Sequence, residues 1–560
     1  MEEVNYKMNR RFYMRAEFLI ILLAFIIVIN SQFSSLINRY VINDDVRQHI
    51  YWMQQFHDRG LFRNDLLTEY AKNYQPWGFI FLYYLFSFIA DPLLISKILP
   101  IILFVLSSLY LFKLVKYLTN DYAALLAALF FMITPAYLER MSGGLPRAFA
   151  SALLIIFLYY LIKREYMKSS LILLLQSLFY PMIFFVSILT YIFTFVKVRN
   201  KRISFDKSTV KNKAFICLAL IAVFILGAKY TLSYNPRIGR VVSHKQMLSD
   251  PAYYAAGRYP VLPTPPLSEE ISNNLSNILF SKILMRHPEN FFVKSGILNN
   301  AIFLIAILLL GFEAARRRMF FPVEILFLFL SSVLMYKISD LVLLKLFLPA
   351  RYVEYSIPII SLIVYSMAIG QLITRLKNDR TKKVFQIIVF IIVLSNYNIH
   401  KKNIGLINMS RFKDLYAYLN SLPKDVMIAA NPKLADGIPT FSQRKVFINY
   451  ELSHPFYDKY WETIRRRTFD FFDAYYSQDP LYIYKFCENN GIEYLVVDRR
   501  HFKKGYLANQ GFYFEPFNAY VVDITKKRVN FALADISEQD KLFVKGDVFV
   551  IKKDALKYRH

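Results

Sequence analysis

Apolar runs of roughly 20 residues, the length a helix needs to cross about 30 Å of hydrocarbon, recur along this sequence and constrain its fold more than any other feature. About eleven such runs are found: 16–36, 97–117, 121–138, 148–162, 169–180, 182–196, 213–233, 297–315, 321–338, 354–374 and 383–399. In hydrocarbon each backbone polar group must be satisfied within its own segment, which favours helices. The expected fold is therefore a polytopic α-helical membrane protein. Hydrophobic residues make up 56% of the 560, with 51 Phe and 41 Tyr, which excludes an ordinary soluble composition. The run from Ala16 has no small-residue cleavage site before the charged stretch that follows, so it is read as a retained anchor. Trp77–Ala90 is apolar but short, and counting it as a crossing would place Lys163, Arg164 and Lys168 on the wrong side. It is read as a segment embedded from the outer surface, and the two short runs around Pro181 as half-length or tilted helices.

The net charge of +28 would suggest a nucleic-acid partner in a soluble protein, but here its placement is orientation information and no nucleic acid is expected. Lys7, Arg10, Arg11 and Arg15 precede the first run. Lys113 and Lys116, Lys163 to Lys168, Lys197 to Arg202, Arg316 to Arg318 and Arg375 to Lys383 all fall on the same side as the N-terminus, which should be cytoplasmic. The cell membrane is the expected location. Outside would lie residues 39–96, with membrane-surface helices, the irregular Pro- and Tyr-rich stretch 234–296, which resembles a lid, and residues 400–560. The chain thus divides into a membrane part, 1–399, and an extracytoplasmic α/β domain, 400–560. Val426–Ala430 and Tyr494–Asp498 read as buried strands, Leu481–Asn490 as a helix ended by Gly491, and Ala519–Asp523 and Val548–Ile551 as antiparallel strands. Cys217 and Cys487 are not expected to pair, and the sequence contains no phosphate-cradling Gly loop, zinc helix or nucleophile elbow.

The densest charge behind an apolar run is Asn43-Asp44-Asp45-Val46-Arg47-Gln48-His49. Asn43 suits an N-cap and the two acids suit a first helical turn. Val46, Ile50, Met53 and His57 would then line one face of an amphipathic helix on the membrane surface. Such a helix also presents its carboxylates to a reaction there. Arg140 and Arg147 flank Gly143-Gly144 in a short outer loop. Arg residues of this kind often snorkel to headgroups, but positive charge is depleted outside, and a bound phosphate would account for two of them. Arg351 has the same two readings and a third, an ion pair with Glu354. Glu139 is the only acid beside Arg140, and His49 is a further candidate ligand or polar surface residue.

Taken together these residues resemble the polyprenyl-phosphate-sugar-dependent glycosyltransferases of the GT-C superfamily. Asp44-Asp45-Val46-Arg47 resembles that family's Asp-Glu-x-Arg motif after the first span. Lys116 to Ala128 is similar to its basic turn and Ala/Leu-rich span, Arg140-Met141-Ser142-Gly143 to the approach to its second acidic site, and Pro349 to Val353 to its Arg-Tyr entry of a late span. The resemblance covers roughly residues 10–400. Where oligosaccharyltransferases carry a second acidic pair, this chain has Leu145-Pro146-Arg147, so a bound divalent metal is not favoured and no cofactor is expected. The resemblance implies a polyprenyl-phosphate-linked sugar as donor, with a protein, glycolipid or polysaccharide acceptor. Asp44 would be general base with Asp45 in support, and Arg47, Arg140, Arg147 and Arg351 would face phosphate. Competing readings are a transporter or flippase of lipid-linked saccharides, and a surface-polysaccharide ligase or polymerase using a diphosphate-linked donor.

Overall fold

The first helix, Glu2–Ile37, packs along a second, Pro92–Leu118, which also contacts Asp121–Ile133 and Phe149–Ile162 and so forms the centre of a helical bundle. The architecture is taken from a computed structural model, which describes residues 2–199, 202–205, 213–232, 234–276, 297–316, 321–395, 402–508 and 511–557. The end of the expected 383–399 run and residues 277–296 of the expected lid lie outside them. Asp91 caps the second helix by accepting from Leu93 N–H at 2.7 Å, with Pro92 in its first turn. Its Lys97 ammonium donates to the carbonyls of Ser35, Asn38 and Arg39 at 2.6, 2.8 and 3.4 Å. Those carbonyls end the first helix, where an apolar run leaves acceptors unsatisfied and a cation is favoured.

Among the described residues, three helical segments are long and apolar enough to cross a membrane: 16–37, 92–118 and 349–374. The expected run 121–138 is instead two helices, Asp121–Ile133 and Pro135–Met141, bent by 62°. Pro135 has no N–H to continue the first helix, and Thr134 turns its hydroxyl back to the Phe130 carbonyl at 2.6 Å. Six further apolar helices are shorter, at 10–17 residues, Trp77–Ser87 among them.

Residues 41–56 depart from the amphipathic surface helix expected. Val41–Ile42 pairs antiparallel with Ile407–Asn408, and the Asn43 amide donates to the Gly405 carbonyl at 2.7 Å. Only Val46–His49 is α-helical, followed by a 3-10 segment, Tyr51–Phe56. Val46, Ile50 and Met53 do share a buried face, but protein covers it. Gln54, for example, donates to the Thr440 carbonyl at 2.9 Å.

Residues 402–508 and 511–557 form an α/β unit around a five-stranded sheet in the order Lys445–Val446, Met427–Ala430, Ile492–Asp498, Val548–Lys552, Lys541–Lys545. The first three strands are parallel and the last two antiparallel. The helix Pro480–Asn489 ends before Gly491, whose φ is +63°. The expected strand at Ala519–Asp523 is a helix, Phe517–Lys527, because Phe517, Val521 and Ile524 bury one face at helical spacing. Residues 234–276 lie against this unit through a Val241–Tyr457 bridge and a 2.6 Å hydrogen bond from the Trp461 indole to Asp250.

Candidate active site

The acidic motif sits where the membrane helices, the 234–276 segment and the C-terminal unit meet. Asn43 Oδ1 accepts from Asp45 N–H at 3.1 Å, closing the turn that separates the two acids. Gly143 permits the neighbouring loop to approach: its φ is +82°, and a Cβ there would lie 2.7 Å from Asn43 Cβ. The approach brings Arg147 to the motif.

The two carboxylates then diverge. Asp44 has a half-exposed side chain, 52%, held by an ion pair to Arg47. Asp45 pairs with Arg147 and accepts from Gln48 at 3.0 Å. Burial pushes Asp45 up, but the charges of Arg147 and His49 and hydrogen bonds from Arg147 and Gln48 outweigh it, holding the carboxyl at about 2. His49 is driven the other way, down to about 4, mainly by burial, with Asp45 opposing and Arg147 assisting. At neutral pH it is an uncharged imidazole, with Nδ1 at 3.5 Å from the Tyr74 hydroxyl.

Arg351 and Arg140 converge on Glu354. Arg351 donates to its carboxylate at 2.7 Å, Arg140 Nε lies 3.2 Å from it, and Arg140 also donates to the Glu354 carbonyl at 2.6 Å. The ion-pair reading of Arg351 is thus realised, and it extends to Arg140. The charge of Arg351 also acts on Arg147, so the two clusters adjoin. Glu139 is exposed, and its backbone lies against Gly405, the residue whose carbonyl the Asn43 amide bonds. Arg47 is only 6% exposed. Besides Asp44 it reaches Glu451 at 3.0 Å and Asp436 at 3.7 Å, so its guanidinium is occupied by carboxylates.

Several residues here were not anticipated from sequence: Asp436, Glu451, His454, Arg258 and Tyr259. His454 bridges Tyr70 (Nδ1, 3.0 Å) and Tyr259 (Nε2, 2.9 Å). Arg258 stacks over the Tyr450 ring at 4.0 Å and lies 3.9 Å from Glu451. Their contacts are hundreds of residues apart, so no local spacing could have flagged them. The aromatic density of residues 450–460 was the one available signal.

The donor set does not suit a hard divalent cation, which needs several free oxygens. Asp44 faces Arg47, Asp45 faces Arg147, and Glu354 faces Arg140 and Arg351.

No protein family and no curated protein matches the chain. Among solved structures it is similar to the Archaeoglobus fulgidus oligosaccharyltransferase in the apo form, at 12% identity and TM-score 0.49, over 91% of this chain and 72% of that one. The archaeal oligosaccharyltransferase AglB, in complex with an inhibitory peptide and a dolichol-phosphate, is similar at 12% and 0.47, over the same shares. The arabinofuranosyltransferase AftD from Mycobacteria is similar at 12% and 0.47, over 96% of this chain and 40% of that one. By name these neighbours are oligosaccharyltransferases and an arabinofuranosyltransferase. At these TM-scores, all below 0.5, the likeness carries no weight for the reaction.

Proposed function

We propose that this chain is an inverting membrane glycosyltransferase that moves a sugar from a polyprenyl-phosphate donor to an acceptor hydroxyl on the extracytoplasmic face. In this reading about eleven crossings place the N-terminus in the cytoplasm and residues 400–560 outside. The observation that carries it is the unequal treatment of two adjacent acids: Asp44 is half-exposed, while Asp45 is closed on Arg147. Asp44 accepts the acceptor's proton as the hydroxyl oxygen bonds to the anomeric carbon. The bond from that carbon to the phosphate oxygen breaks on the opposite face, which inverts the centre. The departing phosphate takes up negative charge, which Arg147 and, beside it, Arg351 stabilise. Asp45 holds Arg147 until a phosphate competes for it.

The test is mass spectrometry of polyprenyl-linked sugars in native cells with and without the protein. A polyprenyl-monophosphate sugar should accumulate on removal and return to its former level when the gene is restored. Unchanged lipid-linked pools would refute the reading. Accumulation of a diphosphate-linked glycan would favour a ligase or polymerase instead.

A further inference from the structure

Asp44 is a half-exposed side chain, and among the described residues Arg47 is the side chain that holds it. A base aimed at an acceptor needs a fixed direction, because a misplacement of about 1 Å can cost a hundredfold in rate. What fixes Arg47 therefore matters. Its planar fork has five N–H donors in set directions. Nε donates to the Asp44 carbonyl at 3.3 Å, Nη2 serves both Asp44 and Glu451, and Nη1 points to Asp436. Two of the three carboxylates come from the C-terminal unit, and both are nearly inaccessible, Asp436 at 3% and Glu451 at 4%. They are themselves locked together, since the Glu451 backbone N–H donates to Asp436 at 2.9 Å.

We infer that Glu451 and Asp436 are positioning residues for Asp44: the C-terminal unit aims Arg47, and Arg47 aims the base. The inference rests on the reading of Asp44 as base. A plain interdomain staple would need one carboxylate for one guanidinium. Here three carboxylates, Asp44, Asp436 and Glu451, meet two guanidiniums, Arg47 and Arg258, of which Arg258 is also spread over Tyr450. Buried charge without a counterion is costly, so the cluster relieves its excess by retaining a proton. Burial and then the charge of Asp436 push Glu451 upward against the pull of Arg47, and burial likewise raises Asp436. Tyr416 beside Arg47 and Asp436, with Tyr259, Tyr450, Tyr513, His454 and Asp45, surrounds this cluster. With Glu451 protonated, Arg47 is shared with Asp44. Once Glu451 ionises at higher pH, it draws Arg47 away from Asp44 and the base loses its aim.

The experiment uses the full chain, tagged at Met1, expressed in native cells that lack the original copy. Glu451→Gln and Glu451→Ala are compared by the polyprenyl-linked sugar pool, by membrane abundance, and by initial rate against pH in membranes with their endogenous donor and acceptor. Glu451→Gln, a neutral isostere, should keep most of the turnover at neutral pH and lose the native decline on the alkaline limb. Glu451→Ala should lose about tenfold to a hundredfold in turnover with little change in donor KM. Native turnover in Glu451→Ala, or a Glu451→Gln pH profile identical to the native one, would overturn the inference. Should the alanine variant fail to accumulate, the glutamine pH profile decides alone. If removing the native chain leaves the lipid-linked pools unchanged, the functional reading itself falls. If the pools rise and the Glu451 variants behave as native, only this inference does.

Discussion

Asp45 and Arg147 compete for the same charge that a phosphate would supply, so replacing Asp45 should tighten phosphate binding. Asp45→Asn keeps the size and the contact with Gln48 but removes the anion that Arg147 holds. The pull of Arg147 is the main force carrying the Asp45 carboxyl from its ordinary 3.8 down to about 2 against burial. At 1.36 kcal/mol per decade this corresponds to about 2 kcal/mol of net stabilisation of the ion. Both side chains are about a quarter exposed, and solvent screening lowers the usable part toward about 1 kcal/mol. Released to a ligand, about 1–2 kcal/mol is roughly a 5- to 30-fold gain in affinity. The assay is titration calorimetry of polyprenyl phosphate against the full chain in lipid nanodiscs. Arg147→Ala should weaken binding by about tenfold to a hundredfold, and the double variant should bind like Arg147→Ala, because without Arg147 the aspartate has nothing to withhold. Weaker binding by Asp45→Asn, together with unchanged binding by Arg147→Ala, would remove Arg147 from the phosphate site and return it to a structural ion pair.

Asp44→Asn should cut turnover by about 10²–10⁴ with membrane expression unchanged, whereas activity retained in both Asp44→Asn and Asp45→Asn would reduce the motif to a turn. Turnover should survive chelator, since the acids of the site face guanidiniums; loss restored by manganese or magnesium would contradict that. Protease added to spheroplasts should remove residues 400–560 and spare a tag at Met1, and protection of that region would reverse the proposed orientation. His49 binds its proton at about 4 when folded and near 6.5 when unfolded, so the unfolded state takes up more protons between these values and stability should fall as pH drops from about 6.5 to about 4. The shift implies about 3 kcal/mol, reduced to about 1–2 because the ring is partly exposed; a His49→Gln melting curve with the same acid slope as the native chain would show that another group is responsible.

Much of the fold could be read from sequence because apolar length and helix caps are local signals. The Pro480–Asn489 helix with its Gly491 terminator and the strands at 427–430 and 492–498 follow from a few neighbouring residues. Ala519–Asp523 reads as a strand because a short apolar run with two adjacent valines has no period of its own, while the deciding burial of Phe517 and Ile524 lies just outside it. Likewise the face Val46–Ile50–Met53 was legible, but not what would cover it. Glu354 could be paired with Arg351 from their spacing of three. Arg140 joins that pair from a different helix 214 residues away, a separation no local spacing reveals. The same holds for Asp436 and Glu451, whose sequence surroundings are those of an ordinary soluble domain and whose meaning comes entirely from Arg47.

The ion pairs of Arg47 also order events in time. Arg47 and Glu451 are 404 residues apart, and at about 5–20 residues per second synthesis takes roughly 20–80 s to travel between them. For most of that interval the motif is already made while its partners are not: the Ile407–Asn408 strand that pairs with Val41–Ile42 comes late, then Asp436, and Glu451 last. A nascent chain would therefore carry its candidate base unaimed until its last quarter had been made and folded. A ribosome stalled before residue 400 would leave a product that has every apolar run and the acidic motif but neither carboxylate that aims it, and so unable to draw on the cell's lipid-linked sugar.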